Sequence, residues 1–223
     1  VSNKYVVELR GVHEVTLRGR ADLDYWHQRL AGEGLFPVAS DGYADLLISA
    51  VASRFFGFSF CELSVSVFVA RDEQATTTDG VFLIQAFNSR RWFAAIERAM
   101  YRTPYDPAEI KVSADLPVAM RLGPAMKPWL IAEMGAGHAD SVAADDVWEG
   151  TIFLPTLRGR REQFFARLAG DTRGYSFRPT DRFQLSRLAA APVIATLADS
   201  GFAPSEWLVR PAATHARSKT VPR

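Results

Sequence analysis

Cysteine is nearly absent: Cys61 is the one cysteine in 223 residues, so no internal disulfide can form. Packing and hydrogen bonding must supply the stability, and this usage fits a reducing compartment, with a cytoplasmic protein as the expectation. Long apolar runs are missing too, so no helix of about 20 apolar residues can be drawn across a bilayer. The first residues, "VSNKYVVELRG", lack the basic start, apolar stretch and small-residue site of a signal peptide. No membrane partner is expected. An excess of one charge is also lacking. The formal net charge is +1 with acids and bases intermixed, which argues against a nucleic-acid partner held by bulk charge. Lysine is scarce: Lys4, Lys111, Lys127 and Lys219 are all there is.

Familiar site motifs are missing as well. There is no phosphate-cradling Gly-rich loop with its Lys-Ser/Thr, no dinucleotide fingerprint, no Gly-x-Ser-x-Gly elbow and no His-Glu-x-x-His helix. His13, His27, His138 and His215 are scattered, and neither a metal nor a cofactor is expected from them. The neighbours His13 and Glu14 point to opposite faces if they lie on a strand, so they form no local pair.

What is present is a chain with 48% hydrophobic residues, enough for a substantial core, and long alternating segments. Residues 5–19 read as one or two strands broken at Gly11, and 44–70 as β-rich with a bend near Gly57. Within it "CELSVSVFV" alternates, with Cys61, Leu63, Val65, Val67 and Val69 on one face. Strands are also expected at 81–87, 108–122, 147–155 and 205–213. Helices are expected at 21–34, 89–100, 158–170 and 191–202, and a loop at 132–146. In the second helix Ser89 reads as the N-cap, and Trp92, Ala95, Ile96 and Ala99 as one stripe. The sum is a mainly β domain, a barrel or a sandwich with a few short helices. One domain is expected over 1–213, followed by a basic, mobile tail over 214–223.

Two places could carry chemistry. Glu62 lies mid-strand on the face shared by Phe60, Ser64, Ser66 and Phe68. Alternation by itself favours a solvent face, whereas a lined interior would make Glu62 a buried acid beside small serines that leave room for a ligand. The second place is "RAMYRTPYDP", residues 98–107, where Pro104 and Pro107 stiffen the chain after a helix. Arg98, Tyr101, Tyr105 and Asp106 either pack on that turn or project from it into a pocket.

Both segments resemble the acetoacetate decarboxylase-like superfamily. "FSFCELSVSVFVA" (58–70) is similar to the family's Gly-Pro-Tyr-x-Glu strand and places Glu62 on its pocket glutamate. "RRWFAAIERAMYRTPYDPAEIKV" (90–112) resembles the segment Arg-Glu-x-Trp/Tyr-Gly-x-Pro-Lys-Lys, with Arg98, Tyr101 and Pro104 on its Arg, aromatic and Pro. Arg102 stands at its Gly, and Tyr105 and Asp106 stand at its two lysines. The form is closer to a Lys-less branch with Leu-Pro-Tyr at this point. The resemblance covers about residues 45–115. It implies a single-domain closed, twisted β-barrel with peripheral helices around a small-molecule cavity. It also implies association of barrels into a homo-oligomer.

In the family, one lysine forms a Schiff base with a keto acid and the second tunes it. Neither Tyr105 nor Asp106 can form an imine, so that chemistry is expected to be lost unless Lys111 or Lys127 reaches the cavity. The residues left suit proton transfer beside a carbonyl, as in enolisation, dehydration, cyclisation or non-imine decarboxylation. Glu62 and Tyr105 are the expected catalytic pair, and Arg98, Tyr101, Asp106, Phe60 and Ser64 the expected substrate contacts. The expected partner is a small carbonyl or carboxylate compound. The alternative is a non-catalytic barrel that binds a small oxygenated or apolar ligand.

Overall fold

A computed structural model describes residues 4–138 and 142–223. In chain order the strands are β1 (Tyr5–Asp22), β2 (Phe36–Pro37), β3 (Ala39–Ser40), β4 (Tyr43–Phe55), β5 (Phe58–Ala70), β6 (Gly80–Asn88), β7 (Tyr105–Pro107), β8 (Ile110–Ser113), β9 (Ala119–Leu122), β10 (Leu130–Glu133), β11 (Val142–Phe153), β12 (Glu162–Ser176), β13 (Arg182–Leu185), β14 (Ala203–Ser218) and β15 (Val221–Pro222). The helices are α1 (Leu23–Leu30), α2 (Arg91–Tyr101) and α3 (Pro192–Asp199). The fold is mostly β.

Pairing in the large sheet runs β5-β4-β1-β14-β12-β11-β6, and β6 pairs again with β5, so the hydrogen bonding returns on itself. All but one of these neighbours are antiparallel; β6 lies parallel to β11. A smaller sheet, β13-β10-β9-β8, packs against one face. On that face Val15, Leu17, Ile48, Leu63, Val65 and Trp207 are fully or almost fully buried. They meet Trp26 and Leu30 of α1, Val193 and Leu197 of α3, and Met120 and Leu122 of β9. Burying each large apolar side chain contributes about 1.5–3 kcal/mol, so this layer is the main source of stability.

The strand period of two sends alternate residues to the opposite face. Register sets Glu14, Val51, Glu62 and Asn88 in one row across β1, β4, β5 and β6. Thr16, Ser49, Ser64 and Ala86 form the next row. A smaller apolar cluster lies on this side, in which Leu83, Ala86, Ala94, Tyr105, Leu154 and Phe164 are buried together.

Several expectations give way. The helix expected over 158–170 is replaced by an entry into β12, where Phe164 and Ala166 alternate inward. That strand is held on one side by β11, its antiparallel hairpin partner, and on the other by β14, which is distant in sequence. The expected loop at 132–146 is cut into by β10 and β11 at its two ends, and residues 139–141 lie outside the described part. Gly11 does not divide β1: at φ +63° it sits where the register with β14 shifts, as a bulge does. Ser89 does not cap α2. Arg90 is the N-cap residue, and the Ser89 hydroxyl accepts from the Cys61 N–H at 2.8 Å. The expected apolar stripe of α2 is not its buried face either. Ala94 is buried, while Trp92 and Ile96 are exposed beside Phe58 and Met100. The chain past Thr214 is no free tail, because β14 continues to Ser218 and carries His215 and Arg217 inward.

Candidate active site

Tyr105 reaches its place through the end of α2. Arg102 takes the left-handed conformation, φ +55°, that stops the helix, and the Thr103 N–H bonds back to the Glu97 carbonyl. The resemblance puts a Gly at this position, and the backbone explains why: a Cβ costs about 1–2 kcal/mol in that region. The chain then lies parallel to β6, with Tyr105 beside Ala86. Adjacent strand residues point to opposite sides, so Tyr105 turns inward and Asp106 outward.

The Tyr105 hydroxyl donates a short hydrogen bond to the Glu62 carboxylate. Asn88 Nδ2 donates to the other Glu62 oxygen at 3.4 Å. Glu62 lies half-buried among the strands that surround it. Burial pushes its carboxyl up to about 7; the Tyr105 hydrogen bond opposes the shift and the charge of Glu97 adds to it, while His215 and Arg217 oppose it. Burial and the Glu62 charge raise Tyr105 well above the usual phenol value, so it stays a neutral donor.

Around this pair stand groups that sequence reasoning missed. Glu14, 1% exposed, binds His215 Nε2 at 2.9 Å through one oxygen. Its other oxygen accepts from Thr16 at 2.9 Å, Ser49 at 3.1 Å and Arg210 at 3.1 Å. Arg210 also reaches Asp146 at 2.9 Å. Burial alone would raise Glu14, but the His215 hydrogen bond and charge, Arg210 and Thr16 override it and bring the carboxyl down to about 2. Arg217 lies between the rings of Tyr101 at 4.4 Å and Phe164 at 4.1 Å and donates to Glu97 at 2.8 Å. Glu97 also accepts from Thr103 at 2.9 Å. The only local clue is the opposed facing of His13 and Glu14, which the structure keeps with His13 exposed and Glu14 buried. Arg210, His215 and Arg217 lie in β14, the last two in the segment expected to be a tail, where no pattern marks them.

The other residues singled out in the sequence are placed as follows. Arg98 and Asp106 pair with each other at 3.0 Å, both half-exposed, and Gln85 also holds Asp106 at 2.8 Å. They lie outside and do not meet Glu62. Tyr101 packs its ring against the Arg217 guanidinium at 4.4 Å and does not bond Glu62 among the described residues. Phe60 packs on Phe93, with ring centres 4.9 Å apart, at the rim. Ser64 is half-buried between Ser49 and Ala86. Lys4, Lys111, Lys127 and Lys219 are all exposed. Among the described residues no three His, Cys, Asp or Glu are grouped to hold a metal.

The ring of strands that carries this pair is shared with solved structures. No family model matches the sequence, and no curated protein matches it either. The structure is similar to acetoacetate decarboxylase from Legionella pneumophila, with TM-score 0.69 and 14% identity over 100% of this chain and 89% of that one. It is also similar to the enduracididine biosynthesis enzyme MppR, described in complex with the condensation product of pyruvate and imidazole 4-carboxaldehyde, with TM-score 0.65 and 11% identity over 100% and 90%. An acetoacetate decarboxylase-like enzyme from Sphingomonas wittichii superposes with TM-score 0.61 and 15% identity over 100% and 94%. The chain therefore has the acetoacetate decarboxylase fold. No helix in the described residues is long and apolar enough to cross a membrane.

Proposed function

We propose that this protein is an enzyme that moves protons next to the carbonyl of a small molecule, a lyase or isomerase that uses no Schiff base. The observation that carries the reading is the Tyr105–Glu62 hydrogen bond, with the carboxyl raised to about 7, inside the ring. A general base works best when its pKa lies near the working pH. The reading takes the ring as a closed barrel around the reacting carbonyl compound.

A substrate carbonyl oxygen takes the place of the Glu62 carboxylate as acceptor for the Tyr105 hydroxyl. Ionised Glu62 removes the proton from the carbon next to the carbonyl. The C–H electron pair forms the new C=C bond, and the carbonyl π pair moves to the oxygen held by Tyr105. Glu62 then returns its proton to another carbon, which is isomerisation, or to a departing hydroxyl, which is dehydration. His215, held by Glu14 at 2.9 Å, stands within electrostatic reach of Glu62. Exposure of every lysine supports chemistry without an imine, even though the solved structures of similar fold include a decarboxylase.

The test is hydrogen–deuterium exchange at the carbon beside the carbonyl of simple keto acids in D2O, followed by proton NMR. The wild type is expected to catalyse exchange, and Glu62→Gln to lose it by about 10²–10⁴-fold, the usual contribution of general acid–base catalysis. Borohydride added with the keto acid should leave the protein mass unchanged; an adduct on any lysine overturns the imine-free mechanism. A wild type that retains a ligand but exchanges nothing, with Glu62→Gln weakening only retention, selects the non-catalytic binding barrel.

A further inference from the structure

A cleft of about 710 Å³ opens where β4 turns into β5, against the bulge of β1 and beside the start of α2. Glu62 and Tyr105 do not line it. Its charged lining is Arg10, Arg54 and Arg90, with no carboxylate among the lining residues. In a chain of net charge +1, three guanidinium groups around one concavity form a local excess that attracts an anion. Arg54 has no ion-pair partner among the described residues. Arg90 uses its Nε on the Ser59 carbonyl at 2.9 Å, and Arg10 uses its Nε on exposed Glu8 at 2.6 Å. Both keep their terminal amino groups for a ligand, in the fork that suits phosphate or carboxylate.

One further feature points to an occupant. The start of α2 opens here, with Arg90 as N-cap residue and no side-chain cap on the first turn. Uncapped N–H groups and the positive end of this 11-residue helix favour negative charge. Cys61 adds no competing anion, because burial raises its thiol. Phe60, Ala52 and Ile110 supply an apolar floor.

We propose that this cleft is a binding site for a small organic anion. Its phosphate or carboxylate group sits among Arg54, Arg90 and Arg10, and its apolar body lies on Phe60 and Ile110. The site is separate from the Glu62–Tyr105 pair. The test is calorimetric titration of the full chain with phenyl phosphate, citrate and inorganic phosphate at low and moderate salt. Phenyl phosphate is expected to bind at one site per chain, and at least tenfold more weakly in R54Q/R90Q. Tight citrate binding assigns polycarboxylates, and tight phenyl phosphate binding with weak citrate assigns phosphate monoesters. Unchanged affinity in R54Q/R90Q, checked as folded by circular dichroism, overturns the proposal. So does binding without a defined stoichiometry.

Discussion

Replacing Glu62 with Gln should change how stability depends on pH. In the folded chain the Glu62 carboxyl is raised from 4.5 to about 7 by burial. The folded state therefore holds this proton over a range where the unfolded chain has released it. Stability must fall as pH rises through that window, since the native state binds more protons. A tenfold difference in proton affinity between the two states is worth about 1.4 kcal/mol, so the wild type should lose about 3 kcal/mol relative to Glu62→Gln between pH 4.5 and pH 7. Above pH 7 the difference should stay constant. Glutamine keeps the shape and can still accept from Tyr105, so the other titrating groups cancel between the two proteins. Urea unfolding at half-unit steps from pH 4 to pH 8.5 measures the difference directly. Parallel stability curves, diverging by less than about 1 kcal/mol over the window, would refute a raised interior Glu62.

Two companion changes probe the neighbours. Glu14→Gln leaves buried Arg210 with half-exposed Asp146 as its remaining charge partner and should destabilise at the lower end of about 3–5 kcal/mol at neutral pH. Because Glu14 is lowered to about 2, that advantage of the wild type exists above pH 4.5 and should shrink as pH falls toward 2, as seen in acid unfolding of both proteins. Tyr105→Phe removes a hydrogen bond that holds the Glu62 carboxyl down, so Glu62 should titrate above 7; carbon-13 NMR of labelled glutamate side chains reads the midpoint.

Much of the fold was legible locally. Alternation in 58–70 placed Leu63, Val65 and Val67 in the core and Glu62 on the other face, and the prolines after α2 marked the turn into β7. Residues 158–170 read as a helix because Phe164 and Leu168 fit a helical spacing as well as an alternating one. Only pairing with β11 and β14 chose the strand.

By itself, then, the sequence determined local periods, the proline turn after α2 and the replacement of both expected lysines by Tyr105 and Asp106. It could not say which of the two faces inward. Tertiary structure decided that. One residue of strand period sends Tyr105 to Glu62 and Asp106 out to Arg98. It also gathered Glu14, Arg210, His215 and Arg217, residues up to 203 positions apart, around that pair. No local pattern encodes such a meeting, because its cause is the register of β1 against β14 and the return of β6 to β5.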